Sequence, residues 1–294
     1  MTPPPIAFLG LGRMGLPMAS RLVQAGHAVT GYDPVPEAGA ALARAGGLRA
    51  ATAAAAAEGA GILVTMLPDG RAVRAALLGE AGVAGCLAPG ALVIDMSSSD
   101  PVGTRTLAED LAGLGLGLVD APVSGGVRRA LDGSLAIMVG GSEDLVARAR
   151  PILAAMGSSL FATGPVGSGH AMKALNNYVS AAGLTAACEA VRVGERFGLD
   201  PTLMADILNV STGRNNATEV KLKPFVIPRT YASGFALGLM AKDLRTADDL
   251  ARHLGVPAPF SHACAALWDE ALAELGPGAD HTAIDAFLAR RDEA

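Results

Sequence analysis

Chemistry in this chain is most legible at a glycine-rich segment near its start. Gly10-Leu11-Gly12-Arg13-Met14-Gly15 follows a short apolar run and opens a stretch of helical period. Glycines at this spacing permit a tight turn, close approach of backbone to a pyrophosphate, and close packing of helix on strand. The helix N-terminus then offers free N–H groups and a positive dipole end to phosphate. Asp33 ends the next strand-like run, where a carboxylate can accept hydrogen bonds from ribose hydroxyls and repel a 2′-phosphate. A glycine turn beside a surface Asp would use the same letters, but the order strand, loop, helix, strand, acid favours a dinucleotide site. Pro34 rather than Arg or Lys follows Asp33, so NAD is expected ahead of NADP. Arg13 keeps NADP open, since it can reach either the pyrophosphate or a 2′-phosphate.

The elements that must position this loop follow from periodicity. Strand-like runs at 6–10, 28–33, 61–67, 91–95, 116–120, 135–139 and 159–162 alternate with helical stretches at 14–24, 71–78, 101–114 and 143–156. Such alternation, with continuous apolar strands, predicts a doubly wound, mostly parallel sheet. The alanine-rich tract 51–58 reads as a short surface helix. After Gly169 the pattern changes to one long helix over 171–197, with Gly198 as its stop and Asp200-Pro201 capping the next. Further helices are expected at 202–209, 242–254, 259–274 and 282–291. The fold class is therefore α/β: an N-terminal Rossmann sheet over 1–165, joined by a long helix to an all-helical domain over 166–294.

Composition bounds the rest. The 294 residues are 51% hydrophobic and 17% charged, enough apolar material for sizeable cores. A net charge of −5 gives no basic field for nucleic acid. The mean hydropathy of +0.38 raises the question of a membrane. However, the longest stretch without charge or histidine, 151–169, is broken by Pro151, Gly157, Gly164, Pro165, Gly167 and Gly169. A soluble protein is expected. Cys86, Cys188 and Cys264 share no metal-like spacing, and the histidines at 27, 170, 253, 262 and 281 form no ligand pair, so no metal is expected. The first residues lack the features of a signal peptide, and cytoplasmic residence is expected.

Three further segments carry a resemblance. Asp120-Ala-Pro-Val-Ser124-Gly125-Gly126, Gly167-Ser-Gly-His-Ala-Met-Lys173-Ala-Leu-Asn176-Asn177 and Met240-Ala-Lys242-Asp243-Leu occur in that order after the glycine loop. Together they resemble the β-hydroxyacid dehydrogenase family, which includes the 3-hydroxyisobutyrate dehydrogenases, over nearly the whole chain. The resemblance implies hydride transfer between NAD(P) and a small 3-hydroxy acid or its semialdehyde, with the cofactor carrying the redox chemistry. It implies that Lys173 is the proton donor and acceptor. A lysine suits that task if burial and the positive nicotinamide disfavour its ammonium form. Its neighbours Ala171, Met172, Ala174 and Leu175 are apolar, which speaks against a solvated helix face.

Asn177 lies at i+4 on the same face, placed to donate to the substrate oxygen and orient the lysine, whereas Asn176 points about 100° away and reads as structural. Ser124, Gly125 and Gly126 are expected to form a turn that holds the substrate carboxylate as an anion nest. Met66, Leu67 and Pro68 correspond to the segment beside adenosine and ribose. Ser98 stands where the family usually has Thr, near the nicotinamide. Lys242 corresponds to a cofactor-contacting lysine, with an ion pair to Asp243 or Asp206 as the alternative. Ser211-Thr-Gly-Arg214 also matches, and Arg214 either reads a second carboxylate or pairs with Asp200, Asp206 or Glu219. The amides of Asn215 and Asn216 suggest a substrate more polar than 3-hydroxyisobutyrate. A homodimer or homotetramer is expected. Other readings are reduction of a tartronate, succinic or sulfo-aldehyde semialdehyde, imine reduction, or a dinucleotide-binding sensor without turnover. Lys173 with Asn177 argues against the last two.

Overall fold

The computed structural model describes residues 4–291. The chain divides into two compact units, Met1–Lys173 and Ala174–Ala294. The first is built on a sheet whose strands are β1 (Ile6–Leu9), β2 (Val29–Tyr32), β3 (Leu48–Arg49), β4 (Ile62–Thr65), β5 (Leu92–Asp95), β6 (Gly117–Asp120), β7 (Val123–Ser124), β8 (Ala136–Gly140) and β9 (Ser159–Gly164). Strands β1 to β6 are parallel in the order 3-2-1-4-5-6, the doubly wound arrangement. β8 extends the sheet antiparallel to β6 and β7 and parallel to β9.

Successive strand residues point to opposite faces, so both faces must be covered. Ile6 and Phe8 enter one core with Ile62, Val64, Leu92 and Ile94, while Ala7 and Leu9 enter the other with Leu63 and Val93. The first core is closed by α1 (Gly15–Gln24) and α2 (Pro36–Arg44). The second takes α3 (Ala53–Ala57), α4 (Gly70–Leu78) and α5 (Pro101–Gly113), and the first is completed by α6 (Gly126–Asp132) and α7 (Glu143–Ala154).

The alanine tract forms the short surface helix expected, with Ala54 and Ala55 exposed, while its inner face, Ala56 and Ala57, is buried in the second core, because a small side chain lets α3 lie close on the sheet. One sequence expectation needs correction here. The strands β3 and β7 were not expected. Each is two residues long, too short to show a period.

The long helix α8 (Ser168–Phe197) spans 30 residues, about 45 Å, and the division between the units falls within it. The second unit then holds α9 (Pro201–Val210), α10 (Asn216–Val220), α11 (Leu237–His253), α12 (Pro259–Leu275) and α13 (Ile284–Arg291). Ala181, Leu184, Cys188 and Val191 form the inward stripe of α8, meeting Met240 and Leu244 of α11 and Trp268 of α12. Trp268 is fully buried, and its indole N–H donates to Thr185 Oγ1 at 3.0 Å. Leu237 and Met240 also belong to this core, while Leu239 is exposed. No helix among the described residues is long and apolar enough to cross a membrane.

Charged groups are enclosed with this apolar material too, among them Asp243, Asp248, Asp285 and a lysine. Lys221, just after α10, is 9% exposed and donates from Nζ to Ser180 Oγ at 3.3 Å. Burial pushes its ammonium down from 10.5 to about 8, against the attraction of Asp280.

Candidate functional site

The strand order reverses between β1 and β4, so the connections leaving these strands run to opposite faces and open a crevice at their carboxyl ends. The glycine loop leaves β1 at that point, and Met66-Leu67-Pro68 leaves β4 beside it. A Cβ on Gly10, where φ is +91°, would stand 2.3 Å from the Met66 carbonyl oxygen, and one on Gly15 would stand 1.8 Å from that of Gly10. These two glycines are demanded by the protein's own packing. Gly12 differs: a Cβ there would meet nothing within 4 Å among the described residues. Protein packing leaves its side free, so the space can admit a pyrophosphate. Thr52, Asp69, Asp100 and Ser142 cap α3, α4, α5 and α7 with their side chains, whereas α1 starts at Met14 with no side-chain cap among the described residues. Leu16 N–H donates to the Gly12 carbonyl at 3.1 Å and Pro17 has no N–H, which leaves the N–H groups of Met14 and Gly15 to suit an anion.

Asp33 stands at the lip of this loop. Its carboxylate accepts from Leu11 N–H at 2.7 Å and Val35 N–H at 2.8 Å. The acid is thus held against the loop by backbone donors. Arg13 is exposed, Met14 half-buried and Leu11 buried. These residues fit NAD(P): open space at Gly12, uncapped helix N–H groups, and an acid one strand away.

Beyond β4 and β5 the chain is pinned by a buried carboxylate. Asp95 accepts from Thr65 Oγ1 at 2.9 Å, Ser97 N–H at 3.0 Å and Ser99 Oγ at 2.8 Å. Ser97 in turn accepts from Leu67 N–H at 2.9 Å. Half-buried Ser98 is carried between two anchored serines, and Met66-Leu67-Pro68 is tied to the same point.

Ser124 is not in a turn, as expected from sequence, but at the end of β7, paired with Ala136 of β8. The ladder fixes its backbone and leaves the change of direction to Gly125 and Gly126, at φ of +127° and +68°. Only glycine adopts such angles without strain, and α6 follows at once.

Lys173 is half-buried on α8, with Asn177 one turn beyond it. The apolar neighbours do not enclose the lysine as expected. Met172 and Leu175 are 43% and 42% exposed, since helical spacing turns them to other faces. Asn177 is buried, and its amide is already oriented: Nδ2 donates to Asp243 Oδ2 at 2.5 Å, and Oδ1 accepts from Asn176 at 3.1 Å. Asp243 Oδ1 lies 3.2 Å from Lys242 Nζ. Of the two acids weighed as partners for Lys242, Asp243 is the one beside it, and Asp206 is bonded to Lys223.

Arg214 stands 3.4 Å from Glu219, with both side chains exposed. Asn215 requires a correction. It is the N-cap of α10, accepting from Ala217 N–H at 2.8 Å and Thr218 N–H at 3.2 Å, while Thr218 Oγ1 accepts from Asn215 N–H at 2.9 Å. This capping box accounts for the residue without a substrate.

Asp120 and His170 lie within the motifs with no role expected from sequence, and Asp243 was expected only as a candidate ion partner of Lys242. Asp120 is wholly buried at the end of β6 and accepts from Gly167 and His170 N–H. An acid ending an apolar strand was the available signal for both Asp95 and Asp120. Asp243 had none, because only its neighbours across the fold show that it is buried.

With this geometry in place, the chain can be set beside known proteins. Residues 5–164 match the model of the NAD binding domain of 6-phosphogluconate dehydrogenase. Residues 167–288 match that of the NAD-binding domain of NADP-dependent 3-hydroxyisobutyrate dehydrogenase. The chain is 41% identical to 3-hydroxyisobutyrate dehydrogenase of Pseudomonas aeruginosa over 245 residues, 81% of this chain and 82% of that protein. It is 36% identical to the NAD-dependent L-serine dehydrogenase of the same organism, with 90% of each chain covered. Its structure is similar to that of Mycobacterium tuberculosis 3-hydroxyisobutyrate dehydrogenase with L-serine, at a TM-score of 0.90, 34% identity, and coverage of 98% and 99%. A doubly wound sheet with an open glycine loop, a helical second unit and these likenesses along both halves lead to one conclusion: the chain belongs to the β-hydroxyacid dehydrogenase family and is an NAD(P)-dependent hydroxyacid dehydrogenase.

Proposed function

We propose that this enzyme oxidises small 3-hydroxy acids, or reduces the matching semialdehydes, with Lys173 as proton donor and acceptor. The observation that carries this reading is the placement of half-buried Lys173 and pre-oriented Asn177 one turn apart on the same helix. Bound NAD(P) supplies the acceptor or donor of hydride at its nicotinamide. The chain's own task is the proton: Lys173 Nζ takes it from the substrate hydroxyl in oxidation and returns it in reduction. Asn177 donates its second amide hydrogen to the same oxygen, its first being held by Asp243. Ser124, Gly125 and Gly126 bind the substrate carboxylate. Arg214, with Glu219 beside it, serves a polar group at the far end. Gly10, Leu11, Gly12, Arg13, Met14 and Gly15 hold the pyrophosphate, and Asp33 the ribose. Met66, Leu67, Pro68, Ser98 and Lys242 complete the cofactor contacts.

The named activities of the relatives, on 3-hydroxyisobutyrate and L-serine, support a 3-hydroxy acid as substrate. Both carry a hydroxyl on C3, the carbon next to the one that bears the carboxylate. With Asn215 used as a cap, a polar preference rests on Arg214 and Asn216. Cofactor reduction is measured over a panel containing 3-hydroxyisobutyrate, L-serine and longer polar 3-hydroxy acids, each with NAD and with NADP. Turnover of at least one such acid, faster per KM with NAD, is expected, with a polar acid ahead of 3-hydroxyisobutyrate. Tight dinucleotide binding without turnover of any acid or semialdehyde would favour a sensor. A higher kcat/KM with NADP would remove the role given to Asp33.

The enzyme is also proposed to be a homo-oligomer. Val193, Phe197, Leu203, Ile207 and Val210 of the helical unit are 53% to 87% exposed, more apolar surface than a lone chain usually shows to water. Sedimentation is expected to give a dimer or tetramer, and Phe197→Glu a smaller species. A monomeric wild type would end this proposal.

A further inference from the structure

The first turn of α8 is pressed onto the end of the sheet. A Cβ on Gly169 would lie 2.5 Å from the Met138 carbonyl oxygen, and one on Gly167 would lie 2.8 Å from that of Pro101. The Asp120 carboxylate receives two of the helix's otherwise unpaired donors, Gly167 N–H at 2.7 Å and His170 N–H at 2.8 Å. These contacts seat the helix from below.

The His170 ring holds it from the side. The ring is fully buried, with Nδ1 2.8 Å from Thr104 Oγ1 in the first turn of α5 and 3.8 Å from Asp120 Oδ2. Thr104 has a single hydroxyl hydrogen, and it goes to the Asp100 carbonyl at 2.8 Å. The hydroxyl therefore accepts, and Nδ1 donates. Nε2 faces Asp95 Oδ2 at 3.6 Å, beyond hydrogen-bond reach, and has no hydrogen-bond partner among the described residues. A buried polar ring with one nitrogen unpaired is a costly way to fill a core that leucine could fill. What leucine could not do is tie α8 to α5.

We propose that His170 is a positioning residue for Lys173, fixing the height and rotation of the turn that carries it. This rests on the assignment of the proton relay to Lys173. The lysine lies three residues beyond the ring, about 4.5 Å along a continuous helix, so a shift of the first turn is transmitted directly to Nζ. Misplacement of a reacting group by about 1 Å costs on the order of 10²-fold in rate.

The test compares His170→Leu, His170→Asn and Thr104→Val in the full-length enzyme, alone and combined with Lys173→Ala. His170→Leu removes the donor, and Thr104→Val removes its acceptor while keeping the shape, so either variant carries the test if the other fails to fold. Asn places an amide N–H near the position of Nδ1. Expected is a kcat loss on the order of 10²-fold for Leu and Val. Substrate KM and dinucleotide Kd should stay near wild type, and most of kcat should return with Asn. In the Lys173→Ala background the same changes should cost nothing further, because the group they position is gone. An equal loss in both backgrounds would show that His170 does not act through Lys173. Full kcat in all three single variants would overturn the proposal outright. Should Lys173→Ala itself keep full turnover, the relay assignment fails first, and that outcome is read separately from the single variants.

Discussion

Lys173→Ala is expected to lower kcat by about 10²–10⁴-fold, the usual range for loss of a positioned acid–base group. Dinucleotide binding should survive, because the glycine loop, Asp33 and the uncapped start of α1 are untouched. Lys173→Arg should fail nearly as badly in oxidation: a guanidinium stays protonated and cannot accept the hydroxyl proton. Small primary amines added to the alanine variant should restore part of the rate, since they bring a titratable nitrogen to the vacated space. Asn177→Ala should cost less, as the role proposed for Asn177 is to donate a hydrogen bond without moving a proton. Wild-type turnover in Lys173→Ala would mean that the proton leaves by another group.

Lys221→Met is expected to stabilise the helical unit by about 3 kcal/mol at pH 7. Burial lowers the Lys221 ammonium from 10.5 to about 8, so below pH 8 both folded and unfolded chains carry the charge and the full cost of burying it is present. Between pH 8 and 10.5 the folded chain has released the proton while the unfolded chain still binds it, so this group's contribution improves as pH rises. Above 10.5 neither state is charged and the cost is gone. The stability gap between variant and wild type should therefore be largest at neutral pH and close over that interval.

Buried Cys188 and Cys264 and half-buried Tyr231 have raised pKa values and work in the opposite direction at alkaline pH, but they do so in both proteins and largely cancel in the difference. Asp280 would not be left unsatisfied by the change. It accepts from Ser233, Gly234 and Thr282. Trp268, the chain's one tryptophan, lies in this core, so its fluorescence through a urea titration reads the helical unit. A gap that is constant with pH, or a less stable variant, would show that Lys221 is not held at a cost.

The sheet and the long helix were legible because their signals are local. Ile6–Leu9 and Leu92–Asp95 are buried on both faces, and a strand of that kind announces itself as a continuous apolar run. Asp200-Pro201 marks the start of α9 for an equally local reason: Asp200 accepts from Leu203 N–H at 2.7 Å. Elements set by their partners were not legible. β7 exists because Val123 and Ser124 find β8, and the burial of Ala56 and Ala57 depends on a sheet many residues away.

The site divides in the same way. By itself the sequence determined the glycine loop with Asp33, and it determined that Lys173 and Asn177 share a helix face, because strand–turn–helix order and helical spacing are properties of neighbouring residues. Only the tertiary structure decided that Gly12 faces open space while Gly10 and Gly15 are locked by backbone. It alone gave Asn177 and Lys242 a common partner in Asp243, turned Asn215 into a cap, and tied His170 to Thr104. The reason is physical: a hydrogen bond or an empty space between residues 66 apart depends on where the whole chain has gone, and no local run of letters carries that information.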